Sequence, residues 1–324
     1  MPLTLSEIQA PIADELEQFN KYFRSAMKSR VALLDTILNY LVKRKGKQMR
    51  PIFVLLSANL CGGIRPETFR GAALVELLHT ATLVHDDVVD DSNERRGFFS
   101  INALWKNKIA VLVGDFLLSR GLLMSLEHND YRLLKIVSEA VKQMSEGELL
   151  QMEKARKLNV DEPVYFEIIR QKTASLIASC CASGAASATE DEALVEKMRL
   201  FGEKTGMAFQ IRDDLFDYGS DKVGKPLGID IREKKMTLPL IYSLNQASWG
   251  ERRKAINIVR NHSDNKEKVA WVLDFVKRSG GLSYSEKMMD KYVDEAQAII
   301  ATFPDSPSKK SMIQMIDYSI QRKA

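Results

Sequence analysis

Histidine and cysteine are scarce in this chain, with four and three residues among 324, and none of them has zinc-ligand spacing. Cys61, Cys180 and Cys181 contain no CxxC pair. An odd number with two adjacent members makes a poor disulfide framework, so a reducing cytoplasm fits. Stretches alternating apolar and polar residues are nearly absent, which argues against sheets. No linker rich in Gly, Ser or Pro and no short repeat divides the sequence, so residues 1–324 are expected to form one domain. The opening MPLTLSEIQAPIADELEQF carries acids where an export signal needs a basic and then an apolar segment. The longest apolar stretch, IAVLVGDFLLSRGLLM, is interrupted by Asp115 and Arg120. No transmembrane segment is therefore expected, and any membrane contact would be peripheral. The formal charge is +4, from 47 Lys+Arg against 43 Asp+Glu, which reads as too slight and too evenly spread for nucleic acid.

What is abundant is helical periodicity. Leu74, Leu77, Leu78 and Ala81 recur on one face of a segment, as do Leu194, Met198 and Phe201 in another. Most of the nine prolines fall where one helical pattern stops and the next begins. The spacing predicts helices near 4–26, 30–43, 49–61, 66–90, 101–126, 130–155, 162–187, 192–219, 236–246, 249–261, 264–279, 283–301 and 307–321. The expected fold class is all-α, with several helices apolar around much of their circumference and hence central in a large bundle.

Charge is interesting where it is local. LVHDDVVDDSNERRG, residues 83–97, ends a predicted helix with Asp86, Asp87 and Asp90 within one turn. An acidic cluster at a helix C-terminus opposes the macrodipole and asks for a neutralising cation. GMAFQIRDDLFDY repeats the DDxxD spacing at Asp213, Asp214 and Asp217. A single DDxxD is usually a solvated helix end, whereas two after core-like helices suggest hard divalent cations that take few carboxylates and complete their shell with water and phosphate. Candidate phosphate-binding cations accompany them: Lys47 and Arg50 in GKQMRP, Arg95 and Arg96, then Lys172, Lys225 and Lys235. Each alone is an ordinary surface cation. His79 lies two turns before Asp86, where a satisfied core histidine is the commoner reading, and His85 abuts the acids. GSDKVGKP fits the GxxxxGK of a P-loop but has Pro226 where Ser or Thr should bind Mg²⁺, and follows a helix. No GxGxxG follows a strand.

These motifs together resemble the trans-isoprenyl diphosphate synthase family, closest to its long-chain octaprenyl members. The resemblance runs from GKQMRP through LLHTATLVHDDVVDDS, RRG, AVLVGDFLLSRG, EGELLQ, KTASL, FQIRDDLFDY and GKPLGID to TLPLIY, over half the chain. It implies an all-α bundle around a deep central cavity and a Mg²⁺-dependent transferase, with three ions when substrate is bound. An allylic diphosphate, with farnesyl diphosphate the expected primer, ionises, and the cation is attacked by isopentenyl diphosphate. By motif, Asp86 and Asp90 would ligate metal with Asp87 nearby, and Asp213 and Asp217 would do so beside Asp214. Lys47, Arg50, His79 and Arg96 match the isopentenyl diphosphate site, which reverses the core reading of His79. Arg95, Lys172 and Lys235 match the allylic diphosphate clamp, with Thr173 and Gln210 as dipoles toward the cation. Lys225 and Asp230 fall at the rim, and Asp91 has no assigned role. One departure is Lys234 where the family commonly has Gly before the clamp lysine.

Chain length in this family depends on residues below the first aspartates. Ala81, five before Asp86, and Thr82 are small, so a tunnel is expected to run on past them toward Leu78, Ser119, Leu122 and Met124. The expectation is a product of about eight isoprene units for a quinone side chain, made by a homodimer. Three alternatives stand beside it. A short-chain farnesyl or geranylgeranyl diphosphate synthase is opposed by Ala81. A non-catalytic subunit would have lost the acids. A terpene cyclase would not need Lys47, Arg50 and His79.

Overall fold

Residues 4–43, 46–95, 97–158, 160–219 and 227–321 are described by the structure, a computed structural model. In chain order the helices are α1 (Leu5–Gln9), α2 (Ala13–Ala26), α3 (Ala32–Lys43), α4 (Met49–Cys61), α5 (Pro66–Val89), α6 (Ile101–Trp105), α7 (Asn107–Glu127), α8 (Tyr131–Lys157), α9 (Glu162–Ile169), α10 (Ser175–Ala186), α11 (Glu192–Phe216), α12 (Ile229–Arg232), α13 (Leu238–Gln246), α14 (Trp249–Asn261), α15 (Lys266–Arg278), α16 (Gly281–Ala301) and α17 (Pro307–Gln321). The all-α expectation is borne out. Among the described residues the only sheet is a hairpin, β1 (Glu94–Arg95) against β2 (Phe98–Phe99), with Glu94 opposite Phe99.

Several expected helices are interrupted. Pro11 sits in a 3₁₀ turn, Ala10–Ile12, that separates α1 from α2. Lys106, at φ 75°, breaks the expected 101–126 helix into α6 and α7. The 162–187 segment holds a π turn, Arg170–Ala174, in which the Ser175 N–H donates to the Arg170 carbonyl. Such a turn adds a residue to the helix and is common where function demands it.

Packing divides the chain into two compact units, one of 1–141, 179–199 and 303–312, the other of 142–178, 200–302 and 313–324. In the first unit α5 is buried nearly all round, from Gly71 through Val75 and at Leu77, Leu78, Ala81 and Val84. Its sequence accordingly lacks a narrow apolar stripe. α4 buries Ile52–Ala58, and α7 buries Val113, Leu117, Gly121 and Met124. By length and composition α7 could cross a bilayer, yet it carries Asp115 and Arg120 and part of its apolar window is inside the unit. In the second unit Tyr165, Ile169, Met207, Ile211 and Leu215 pack with Leu238 and Ile241. Tyr218, Leu240, Val272 and Phe275 join a second cluster.

Two glycines seat the π turn. A Cβ on Gly147 of α8 would lie 2.8 Å from Gln171 Cβ and 2.9 Å from the Lys172 nitrogen, and one on Gly206 of α11 would lie 2.5 Å from Ala174 Cα. Only residues without a side chain let both helices close on the turn.

Candidate active site

The earlier motif lies in the first unit. Asp86 and Asp90 are exposed one turn apart near the end of α5, while Asp87 is buried. The segment that follows is tied down through the backbone. Ser92 N–H donates to the Asp87 carbonyl at 2.9 Å, Asn102 Nδ2 to the same oxygen at 3.1 Å, and the Ser100 hydroxyl to the Ser92 carbonyl at 2.7 Å. Asp91 takes φ 50° at the turn, a left-handed conformation that Asp tolerates. Arg95 lies in β1; Arg96 and Lys225 lie outside the described residues. Lys47 is exposed just before α4. Arg50 makes a two-pronged pair with Glu76, at 3.0 and 3.2 Å, a partner that the motif reading did not anticipate. His79 is half-buried on α5 and its carbonyl accepts the Thr82 hydroxyl at 2.9 Å. His85 lies against Gly114 and Val111, 3.5 Å from Asp115.

Ala81 is fully buried, Thr82 half-buried, and Met124 buried with its sulfur accepting the Tyr22 hydroxyl at 3.2 Å. Ser119 and Leu122, expected on a tunnel wall, are exposed on α7, as are Val111, Leu112 and Leu123.

The second unit gathers the rest around a cavity of about 120 Å³ lined by Gln151, Lys172, Thr173, Gln210, Asp213, Asp214, Asp230 and Lys235, with Tyr165 and Met236. Lys172 Nζ is held by Glu148 at 2.5 Å and Gln151 at 2.9 Å. Thr173 Oγ1 donates to Gln210 Oε1 at 2.7 Å, and Gln210 Nε2 donates to Asp214 Oδ1 at 2.8 Å. Tyr165 completes the chain by donating to Asp214 Oδ2 at 2.7 Å. Burial, then the nearby Asp230 charge, pushes the Asp214 carboxyl up to about 7. Asp230 itself is pushed to about 6 by burial and Asp217.

The three acids of the second motif differ in their commitments. Asp214 is used by Tyr165 and Gln210. Asp217, expected as a metal ligand, accepts the Ile229 and Asp230 N–H groups at 2.8 and 3.1 Å, so both its oxygens hold the start of α12. Asp213 is the exposed carboxylate of the set. Lys235 lines the cavity and pairs with Glu233; burial opposes its charge, but Glu233 and Asp230 outweigh this and raise it above the ordinary lysine value. Lys234 is exposed and takes φ 59°. That left-handed conformation is one glycine adopts without steric cost, in keeping with the glycine that the resemblance leads one to expect at this position.

Among the described residues no three His, Cys, Asp or Glu side chains gather into a metal cage. The donor set suits a hard cation that takes one or two carboxylates at a time and fills its shell with phosphate and water. Motif reading missed Tyr165, Glu148, Gln151 and Glu76. EGELLQ pointed toward the two α8 residues without a role; Tyr165 has no sequence signal.

A model of the polyprenyl synthetase family matches residues 31–276. All-trans-nonaprenyl-diphosphate synthase (geranyl-diphosphate specific) of Rhodobacter capsulatus is 36% identical over 98% of this chain and 97% of its own length. The crystal structure of a decaprenyl diphosphate synthase from the same organism superposes with a TM-score of 0.92 at 32% identity, covering 99% of this chain and all of that one. A geranylgeranyl pyrophosphate synthase from Bacteroides thetaiotaomicron gives 0.82 at 38% identity over 98% and 99% of the two chains.

Proposed function

Because the chain belongs to the polyprenyl synthetase family and is a trans-prenyltransferase, we propose that it extends an allylic diphosphate with successive isopentenyl diphosphates to a product of about eight isoprene units. The observation that carries the chemistry is the cavity in which Lys172 stands beside the hydrogen-bonded chain from Thr173 through Gln210 to Asp214. The allylic C–O bond breaks with its electron pair leaving on diphosphate. The isopentenyl double bond attacks the resulting cation, forming a C–C bond, and a proton is lost from the isopentenyl C2.

This chain's residues meet each demand. Lys172 and Lys235 are fixed cations that counter charge growing on the departing diphosphate, and stabilising developing charge lowers the barrier. The protons of Thr173, Gln210 and Tyr165 all point along the chain toward buried Asp214, which leaves oxygen lone pairs of Thr173 and Gln210 for the cation. Apolar neighbours such as Ile168 and Ile169 keep water away. Lys47, Arg50 and His79 are the isopentenyl diphosphate candidates. Within the first unit Asp86 and Asp90, and within the second Asp213, are exposed carboxylates that would each be candidates to hold Mg²⁺, which when bound supplies further neutralisation of diphosphate. Asp217 has a structural task, so we assign it no metal.

Small Ala81 supports the long product, destined for a quinone side chain. The exposed Val111, Leu112, Leu122, Leu123 and Leu126 on α7 support a homodimer, and the cysteine usage a cytoplasmic setting. Purified chain incubated with farnesyl diphosphate, radiolabelled isopentenyl diphosphate and Mg²⁺ is expected to yield solvent-extractable label that chelation abolishes. No incorporation by the chain alone would make it a non-catalytic subunit.

A further inference from the structure

Residues 249–278, comprising α14, α15 and their connection, contain eight Lys and Arg against four Asp and Glu. That excess equals the formal net charge of the whole chain, so the remaining residues balance and the charge is not evenly spread as the composition suggested. α14 buries Ala255, Ile258 and Val259. Its other side holds a groove of about 350 Å³ lined by Trp249, Arg252, Arg253, Ile256, Asn257 and Arg260. Trp249 is 75% exposed, and the Arg253 guanidinium stands over its ring at 5.2 Å. Glu251, the one acid of α14, faces away from the groove's cations to pair with Arg278 at 2.8 Å. Among the described residues neither Arg253 nor Arg260 is ion-paired.

From this placement we propose that the outer face of α14 docks on the headgroup layer of an anionic phospholipid bilayer. Guanidinium forks match the paired oxygens of a phosphodiester, and an exposed indole is at home at headgroup depth. A free phosphate would satisfy the arginines and leave Trp249 in water, whereas a bilayer covers both. The purpose, though not the geometry, rests on the proposed long product: an apolar tail of about eight isoprene units has no stable place in water, and a docked enzyme delivers it directly to lipid.

The test is sedimentation of the full-length protein with vesicles of phosphatidylcholine alone or with about a quarter phosphatidylglycerol, each arginine near an anionic surface being worth roughly fivefold in partitioning. Binding is expected only to the anionic vesicles, reversed by salt, and weakened about 25-fold in the Arg253→Gln/Arg260→Gln double variant. Trp249→Ala is expected to weaken it separately. Both variants should keep the wild-type melting temperature and vesicle-free rate of the first condensation. Equal binding to neutral vesicles, unaltered binding by the double variant, or capture of inorganic phosphate without vesicle binding would overturn the proposal. Product sizing on the same preparation separates the two readings. A short product with charge-dependent vesicle binding removes the long-chain reading and leaves the surface, while a long product without vesicle binding removes the surface.

Discussion

Gln210 Nε2 donates to Asp214 Oδ1 at 2.8 Å, and this one bond decides which end of the Gln210 amide is left for Thr173 and the cavity. In its ionised form the carboxylate only accepts, so the amide nitrogen turns toward it and the carbonyl oxygen away. Replacing Asp214 by Asn removes that constraint and lets the amide present N–H to a cation. Asp214→Asn is expected to lower kcat about 10- to 100-fold, the scale of a hydrogen bond to a charged group, while KM for both diphosphates changes little. Tyr165→Phe should lower kcat less and cost about 1–3 kcal/mol of stability by leaving a buried acceptor unpaired. Steady-state kinetics with thermal melts checks both; a change confined to KM would contradict the role.

Gly147 lies in EGELLQ, one of the stretches that carry the family resemblance. Its missing side chain is filled by the backbone of the turn that carries Lys172. Gly147→Ala is expected to destabilise the protein by about 1–3 kcal/mol, the usual cost of overpacking. Activity should also fall in fully folded protein, because Lys172 moves with its backbone. Full activity with an unchanged melting temperature would show that the turn does not depend on this contact.

Lys234 and Lys235 are adjacent and chemically identical, and the backbone separates them. Lys234→Gly should leave kcat unchanged and relieve a left-handed conformation worth about 1 kcal/mol, partly offset by the entropy glycine adds to the unfolded chain. Lys235→Ala should raise KM for the allylic substrate at least about tenfold, the scale of a lost charged contact. Kinetics on the two variants distinguishes them, and the reverse pattern would move the clamp to Lys234.

Much of this was legible in the sequence, for physical reasons that also mark the limits. α5 and α11 were expected at 66–90 and 192–219 and occur as Pro66–Val89 and Glu192–Phe216, because long periodic apolar segments specify their own helices. The break at Lys106 escaped because a left-handed lysine carries no turn signature. The π turn escaped because one added residue barely alters periodicity over two dozen positions. Within the second motif, spacing put Asp213, Asp214 and Asp217 on equal terms. Their different duties follow from partners distant in sequence, Tyr165 for one and the α12 backbone for another.

Ala81 is fully buried, so an aromatic ring there must displace neighbours. Ala81→Phe is expected to cost about 1–3 kcal/mol and to shorten the product while the first condensations proceed at the wild-type rate. Unchanged chain length in folded protein would mean that the limit lies elsewhere.

The central claim is that this chain, alone, builds a long polyprenyl diphosphate. Purified protein given farnesyl diphosphate, excess isopentenyl diphosphate and Mg²⁺ should accumulate an all-trans product near C40, sized by chromatography after dephosphorylation. An endpoint at C15 or C20 would contradict it.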